Sequence, residues 1–246
     1  MRLFITLFFA FSAFAAPKEL VVGTASGYAP FVSLTPEGEY EGFDIDVARL
    51  LAEKMKKKLV IKDLGSMPSL IIALRQGKID LIIWAVSITA KRCKEMHLVH
   101  YTGEAETTVP LLFWKEVPKG IVTLDDVVRS GKHVCIEVGT GQEEILKQLA
   151  NLNIKNIDKI MDGVMEVRFG KSMAVAVDSA LVEPLTRKIP ELKVCRVEVP
   201  SELQMQGMGI GIRKTDEDLV EEVEKWVAEL KQSGELTRLE KKWKLK

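Results

Sequence analysis

The sequence predicts an α/β protein in two units, each a mostly parallel sheet flanked by helices, with the chain crossing between them twice. Three observations carry this. From residue 20 to residue 92, short apolar runs alternate with segments of helical period, in the order β-α-β-α-β-α. That order implies parallel strands joined by right-handed crossovers. A second run of the same kind spans residues 109–199, which makes two units of about 100 residues, a comfortable domain size. The tail from Met208 onward does not continue the second run. Its return onto the first unit gives two lobes, a two-strand hinge and a cleft facing the carboxyl ends of both sheets.

Residues 20–23 open the first unit as a short strand, followed by a loop that holds Gly27, Tyr28 and Pro30. Tyr28 stands at the carboxyl end of a strand, where open α/β sheets bind ligands. The alternative is a tyrosine plugging the edge of the core. Gly42-Phe43-Asp44 starts a helix with Phe43, Val47, Leu50 and Met55 along one face, and residues 58–61 read as a strand. Pro68 suits the first helical position and Gly77 closes that helix. Residues 81–86 are continuously apolar, as a parallel strand covered on both faces must be.

In the second unit residues 109–114 form an apolar strand, and Thr123-Leu124-Asp125-Asp126 begins a helix that Gly131 ends. Strands are expected over 133–138, 157–160, 173–177 and 193–199, with helices over 143–150, 162–169 and 179–188. The tail holds a Gly-rich strand over 208–213 and a capping box at Thr215-Asp216-Glu217-Asp218. A long amphipathic helix to Leu230, Gly234 and a last helix to Lys242 follow.

The chemistry concentrates at residues 79–92. Ser87 and Thr89 follow the apolar strand, and both are residue types that cap helices. Arg92 then falls in or near the first helical turn, where the macrodipole already supplies positive charge. An arginine there is locally unfavourable unless it has a partner. Backbone N–H groups, the Ser87 hydroxyl and a guanidinium fork make a receptor for a carboxylate or phosphate. A solvated arginine on an ordinary αβ connection is the alternative.

Lys plus Arg equals Asp plus Glu at 35 each. A neutral chain of this kind carries no electrostatic footprint for nucleic acid or an anionic membrane. Residues 1–16 differ from everything after them: Arg2, an apolar run over 3–14, and the small-x-small site Ala13-Phe14-Ala15. This pattern predicts a secretory signal peptide over residues 1–15. No cysteine lies near the cut, so a lipid anchor is not expected. The expected divisions are residues 17–105 plus 207–246 for the first lobe and 106–206 for the second. The mature chain is expected to be a periplasmic monomer without metal or cofactor. There is no CxxC or HExxH motif, and of Cys93, Cys135 and Cys195 the last two lie in strand-like runs. An exported chain permits their pairing, with buried free thiols as the other reading.

Several motifs in this order resemble the periplasmic solute-binding proteins of polar amino-acid ABC transporters. They are Tyr28-Ala29-Pro30-Phe31, Glu41-Gly42-Phe43-Asp44-Ile45-Asp46, Gly77-Lys78-Ile79-Asp80, Ser87-Ile88-Thr89-x-x-Arg92, Gly139-Thr140-x-Gln142, Gly209-Ile210-Gly211, Gly234 and Lys242-Trp243. Within that family the stretch 165–172 and the C-terminal helices look most like arginine-binding members. The resemblance implies a type II periplasmic-binding-protein fold and an L-amino acid, arginine first, passed to a membrane permease. It implies that Arg92 holds the ligand α-carboxylate, helped by the Ser87 hydroxyl and the backbone at Ala85. Asp178 matches the α-ammonium acceptor, with a helix N-cap as its other role. Thr140 and Gln142 match second-lobe residues that close on the carboxylate. Tyr28, Met67 and Trp84 would wall the side-chain pocket, with a guanidinium lying between Tyr28 and Trp84. Trp84 stands where many members carry a small residue, and Ala25 where many basic-amino-acid binders carry an acid.

Two other functions compete. An exported lyase resembling cyclohexadienyl dehydratase uses the same fold but needs a general acid in the cleft, for which Asp178 is the candidate. A sensor domain of a larger receptor is the third.

Overall fold

In the computed structural model, which describes residues 18–245, the first apolar run forms strand β1 (Glu19–Thr24). The signal peptide expected over residues 1–15 lies outside the described residues. A small hairpin of β2 (Ser33–Leu34) and β3 (Tyr40–Glu41) leads into helix α1 (Phe43–Lys54). Next come β4 (Lys58–Asp63), α2 (Met67–Arg75), β5 (Leu81–Ser87), α3 (Ala90–Glu95) and β6 (His97–Glu106). Strand β1 lies between β4 and β5 and is parallel to both, as the β-α-β-α-β order requires.

The second sheet is built from β7 (Thr108–Trp114), β8 (Val134–Glu137), β9 (Ile154–Ile157), β10 (Ala174–Ala176) and β11 (Leu192–Glu198). Its helices are α4 (Leu124–Arg129), α5 (Gly141–Leu146), α6 (Ile160–Arg168) and α7 (Ser179–Lys188). The spatial order is β11-β7-β10-β8-β9. Strands β8, β9 and β10 are parallel, and β7 runs against β10 and β11. A 3₁₀ turn, Ser201–Leu203, then leads to β12 (Met205–Ile212), α8 (Glu217–Gln232) and α9 (Glu235–Lys242).

Strand β12 completes the first sheet, in the order β4-β1-β5-β12-β6. Apolar burial holds it there. Helix α8 buries Val223, Val227 and Leu230, and α9 buries Leu236 and Leu239, against the core that contains Phe43, Val47 and Leu51 of α1. Each such side chain contributes about 1.5–3 kcal/mol. The ion pairs along the same contact, Lys54–Glu229 at 2.6 Å and Lys57–Glu222 at 3.0 Å, are partly exposed, so solvent screens them and they add little. The core decides. Alternation on β5 feeds both faces of the sheet: Leu81 and Ile83 enter this core, while Ile82 and Val86 join Leu70 and Leu74 of α2 on the other side. Two lobes result. Only Thr107 separates β6 from β7, and its carbonyl accepts the Val199 N–H of the returning chain at 2.9 Å. The two crossings therefore run side by side as the hinge.

Some local readings are corrected. The third strand of the second unit is β9 at Ile154–Ile157, not residues 157–160. Ile160 is the first residue of α6, and an apolar residue at a helix start reads like one at a strand end. Helix α5 starts at Gly141 and ends at Leu146, earlier at both ends than expected. On α1 the fully buried leucine is Leu51, while Leu50 is half-buried. Pro68 is the second residue of α2, capped by Ser66, where its missing N–H still costs nothing. The capping box at 215–218 does not form: the N-cap is Asp216 rather than Thr215, and the Asp216 carboxylate pairs with Arg213 instead of capping. Strand β6 has no counterpart in the sequence reading. It is a sheet edge carrying His97, His100, Glu104 and Glu106, which masks its alternation. All three cysteines are free thiols.

Candidate functional site

The carboxyl ends of β5, β8 and β10 and the loop after β1 face one another across a narrow cleft. Tyr28, Met67, Trp84, Ala85, Ser87 and Arg92 line it from the first lobe, and Thr140, Gln142 and Asp178 from the second. All nine residues singled out in the sequence thus meet in one place. Glu137, Gly139 and Gly141, also from the second lobe, complete the lining.

Arg92 is the third residue of α3, and Thr89 caps that helix by accepting the Arg92 N–H at 3.2 Å. Ser87 does not cap; it ends β5. The guanidinium is almost fully buried, with 2% of the residue exposed, and it already has protein partners. Nε donates to Glu144 Oε1 at 3.0 Å, Nη1 to the Ser87 carbonyl at 3.1 Å and Nη2 to the Gly139 carbonyl at 2.6 Å. Thr89 Oγ1 donates to the other Glu144 oxygen at 2.5 Å. Glu144 and Gly139 belong to the second lobe, so Arg92 ties the lobes together. Three of its five N–H donors are committed, which leaves two for a ligand oxyanion.

The backbone at Ala85 departs from expectation. Its φ of 44° lies in the left-handed region, which costs a residue with a Cβ about 1–3 kcal/mol and is held only by its surroundings. Opposite, β12 slips register between Gly209 and Gly211, a bulge of the kind that re-aims side chains beside a site. The holding contact is visible: the Ala85 N–H donates to Asp44 Oδ2 at 2.7 Å, and Tyr101 Oη donates to Asp44 Oδ1 at 2.6 Å. Full burial raises the Asp44 carboxyl to about 7 against the pull of these two bonds. The Ala85 amide is thus spent on Asp44 rather than left for a ligand carboxylate.

Tyr28 and Trp84 form one corner of the cleft. Their ring centroids are 5.7 Å apart and tilted by 58°. A planar group sandwiched between two rings needs about 7 Å, two van der Waals contacts of 3.5 Å or so. A guanidinium can therefore lie against this corner but not between the rings. Among the described residues Trp84 Nε1 is buried without an acceptor.

On the second lobe Asp178 Oδ1 caps α7 through the Ala180 N–H at 2.9 Å. Burial raises its pKa, while the Ala180 N–H and the nearby Gln142 amide favour the charged form. Gln142 Nε2 nonetheless makes no hydrogen bond of sound geometry. Asp178 in turn helps burial push Glu106, at the hinge end of β6, up to about 8, and adds to the burial that lifts the Tyr28 hydroxyl well above its ordinary value. Thr140 caps α5 by accepting the Glu143 N–H at 3.2 Å, and its hydroxyl donates to the Glu137 carbonyl at 2.8 Å. Gly139 and Gly141 are required by close approach. A Cβ on Gly139 would sit 2.8 Å from Met67 Cβ, and one on Gly141 would sit 2.8 Å from Ser87 Oγ.

Nearly the whole described chain matches one family model. Residues 20–246 fit the bacterial extracellular solute-binding proteins, family 3. The chain belongs to this family. It is 32% identical over 228 residues to the probable ABC transporter arginine-binding protein ArtJ of Chlamydia trachomatis, covering 93% of this chain and 86% of that one. It is 30% identical over 261 residues to the histidine-binding periplasmic protein of Salmonella typhimurium, covering 99% and 96%. Among solved structures, an ancestral arginine-binding protein bound to arginine superposes with a TM-score of 0.78 at 27% identity, covering 92% and 97%. The relatives are amino-acid-binding proteins of ABC transporters, and no described helix of this solute-binding protein is long and apolar enough to cross a membrane.

Three features of the candidate site in this family member escape sequence reasoning. Glu144 sits in the first turn of α5, where an acid already has a reason to be as a dipole complement. Asp44 is visible in the Gly-Phe-Asp motif, but its bond to Ala85 spans 41 residues. Glu137 lies between Ile136 and Val138 and reads as an ordinary strand end. Among the described residues no group of three or more His, Cys, Asp or Glu side chains is placed to hold a metal ion.

Proposed function

We propose that the chain is the extracytoplasmic amino-acid-binding subunit of an ABC importer. It takes L-arginine into the cleft between its lobes and hands it to the permease. In this reading residues 1–15 are removed on export, and residues 17–105 plus 207–246 and 106–206 are the lobes of a monomer. The observation that carries the reading is an opposed pair in one cleft: a guanidinium with two free donors at Arg92 and a buried carboxyl at Asp178. Such a pair fits the two charges of an amino-acid backbone. Arg92 receives the α-carboxylate with Ser87 and Gln142 beside it, and Asp178 receives the α-ammonium. Tyr28, Trp84 and Met67 wall the side chain, and a guanidinium lies flat on the aromatic corner. The arginine and histidine named for the relatives support a polar amino acid.

A lyase on the same fold is the second reading. One observation favours it: Glu137, in the cleft, is raised by burial to about 7, where a general acid is effective. Mass spectrometry of small molecules released from the purified protein separates the two. Arginine or another amino acid, with no turnover of a ring-hydroxylated acid, is the expected result. Turnover without amino-acid retention would replace this reading by the lyase.

A further inference from the structure

Two acids, not one, line this cleft. Asp178 lies at the end of β10 and Glu137 at the end of β8, neighbouring parallel strands of the second sheet. The α-ammonium of an amino acid answers one of them. Glu137 Oε2 is buried and has no hydrogen-bond partner among the described residues. A sheltered, unpaired carboxylate oxygen is costly unless a donor comes to it. The groups facing it do not supply one: Lys159 favours its charged form from a distance and Asp162 opposes it. Neither makes a hydrogen bond to Oε2. The aromatic corner of Tyr28 and Trp84 forms another part of the same lining. On the first lobe, Ala25, just beyond β1, is buried and offers no charge.

We infer that Glu137 is the acceptor for a cationic group at the far end of the ligand, and that this carboxylate makes the site select guanidinium or ammonium side chains over neutral ones. This rests on the proposed amino-acid function and deepens it. A planar guanidinium is the better match, because it can present two N–H groups to Glu137 while one face rests on an aromatic ring. The role differs from that of Asp178. Asp178 recognises what all amino acids share, whereas Glu137 recognises what arginine and lysine have and glutamine lacks.

The test compares L-arginine with L-citrulline, its neutral isostere, by titration calorimetry in the wild type and in Glu137→Gln. Wild type should prefer arginine by about a hundredfold, the scale of a sheltered charge-assisted contact. In Glu137→Gln that preference should shrink by about tenfold or more, with the loss carried by arginine. A melting curve without ligand checks that the variant is folded. The wild-type comparison stands even if the variant fails to fold: equal affinities for arginine and citrulline overturn the inference. Parallel loss of both ligands in the variant also overturns it, by making Glu137 a structural group. Wild type that binds neutral amino acids without preference leaves the amino-acid reading and removes this one. Binding of no amino acid at all removes both.

Discussion

The two walls of the cleft differ in how far their polar groups are already satisfied. On the first lobe Arg92 has three protein acceptors, the Ala85 amide has Asp44, and Asp44 has Tyr101. Among the described residues, Gln142 Nε2 and Glu137 Oε2 on the second lobe and only Trp84 Nε1 of the first-lobe lining are buried without partners of sound geometry, and burial raises the pKa of Asp178 and Glu137. One wall is pre-assembled and the other is waiting for a ligand. Pre-organisation on one side lowers the ordering cost of binding, while unsatisfied groups on the other strengthen only when the right ligand supplies their partners. On the proposed function the first wall would hold the ligand carboxylate and flank its side chain, and the second would add two acids, Asp178 and Glu137.

The largest expected effect comes from breaking the satisfied wall. Arg92→Ala removes the guanidinium from the ligand and from Glu144 together. Stranding the Glu144 carboxylate costs fold stability about 3–5 kcal/mol, and the separate loss of a charge-assisted fork to the ligand carboxylate, about 1.5–3 kcal/mol, should lower arginine affinity by about tenfold to a hundredfold. Adding Glu144→Ala removes the stranded charge. The double variant should regain melting temperature but not affinity. Wild-type affinity in folded Arg92→Ala would show that the ligand does not use this wall.

A smaller effect is expected from the waiting wall. Asp178→Asn keeps a good N-cap for α7 but loses a charge-assisted contact, so affinity should drop by about tenfold to a hundredfold with little change in melting temperature. The sign of the pH dependence follows from the raised pKa. Without ligand, burial raises the pKa of this carboxyl, which faces Glu106, Gln142 and Tyr28, so it keeps its proton to higher pH than an ordinary carboxyl. An ammonium favours the charged form and expels it. Arginine binding should therefore release protons and tighten as pH rises through that range, and calorimetry in two buffers of different ionisation enthalpy should see less release in Asp178→Asn. Equal release in both proteins would place the titrating group elsewhere.

The smallest effect tests whether the walls must touch. Gly141 meets Ser87 across the cleft with no room for a Cβ. Gly141→Ala sits in the first turn of α5, where alanine is no burden to the helix. The added Cβ also meets the buried Met205 Sδ, so the variant should lose some melting temperature as well as bind about tenfold more weakly. Scattering should show that ligand no longer reduces its radius of gyration as it does for wild type. Full compaction in the variant would mean that closure does not bring these surfaces together.

The same contrast explains what is legible in the sequence. The first wall is built from local signals: an apolar strand, Thr89 as a cap and Arg92 three residues on, each interpretable within one turn. Asp178 is equally local, a cap at a strand end. What escapes is long-range or conformational. Nothing in the residue type announces the positive φ of Ala85, and its bond to Asp44 depends on packing α1 under β5. The tie from Arg92 to Glu144 exists only once the lobes meet. Glu137 is hidden for a different reason, since one acid at the end of an apolar strand usually points to water. In the fold, β6 is lost to its polar edge character and β9 to an isoleucine that belongs to the next helix.

Titration of L-arginine into the wild-type protein, freed of bound small molecules, tests the central claim most directly. One molecule per chain should bind, more tightly than lysine, glutamine or histidine, with a hundredfold excess over Kd stabilising the fold by about 2.7 kcal/mol. Saturable binding led by glutamine, histidine or an aromatic amino acid would contradict the arginine assignment. No binding of any L-amino acid at about 1 mM, a level where even weak sites begin to fill, would contradict the function itself.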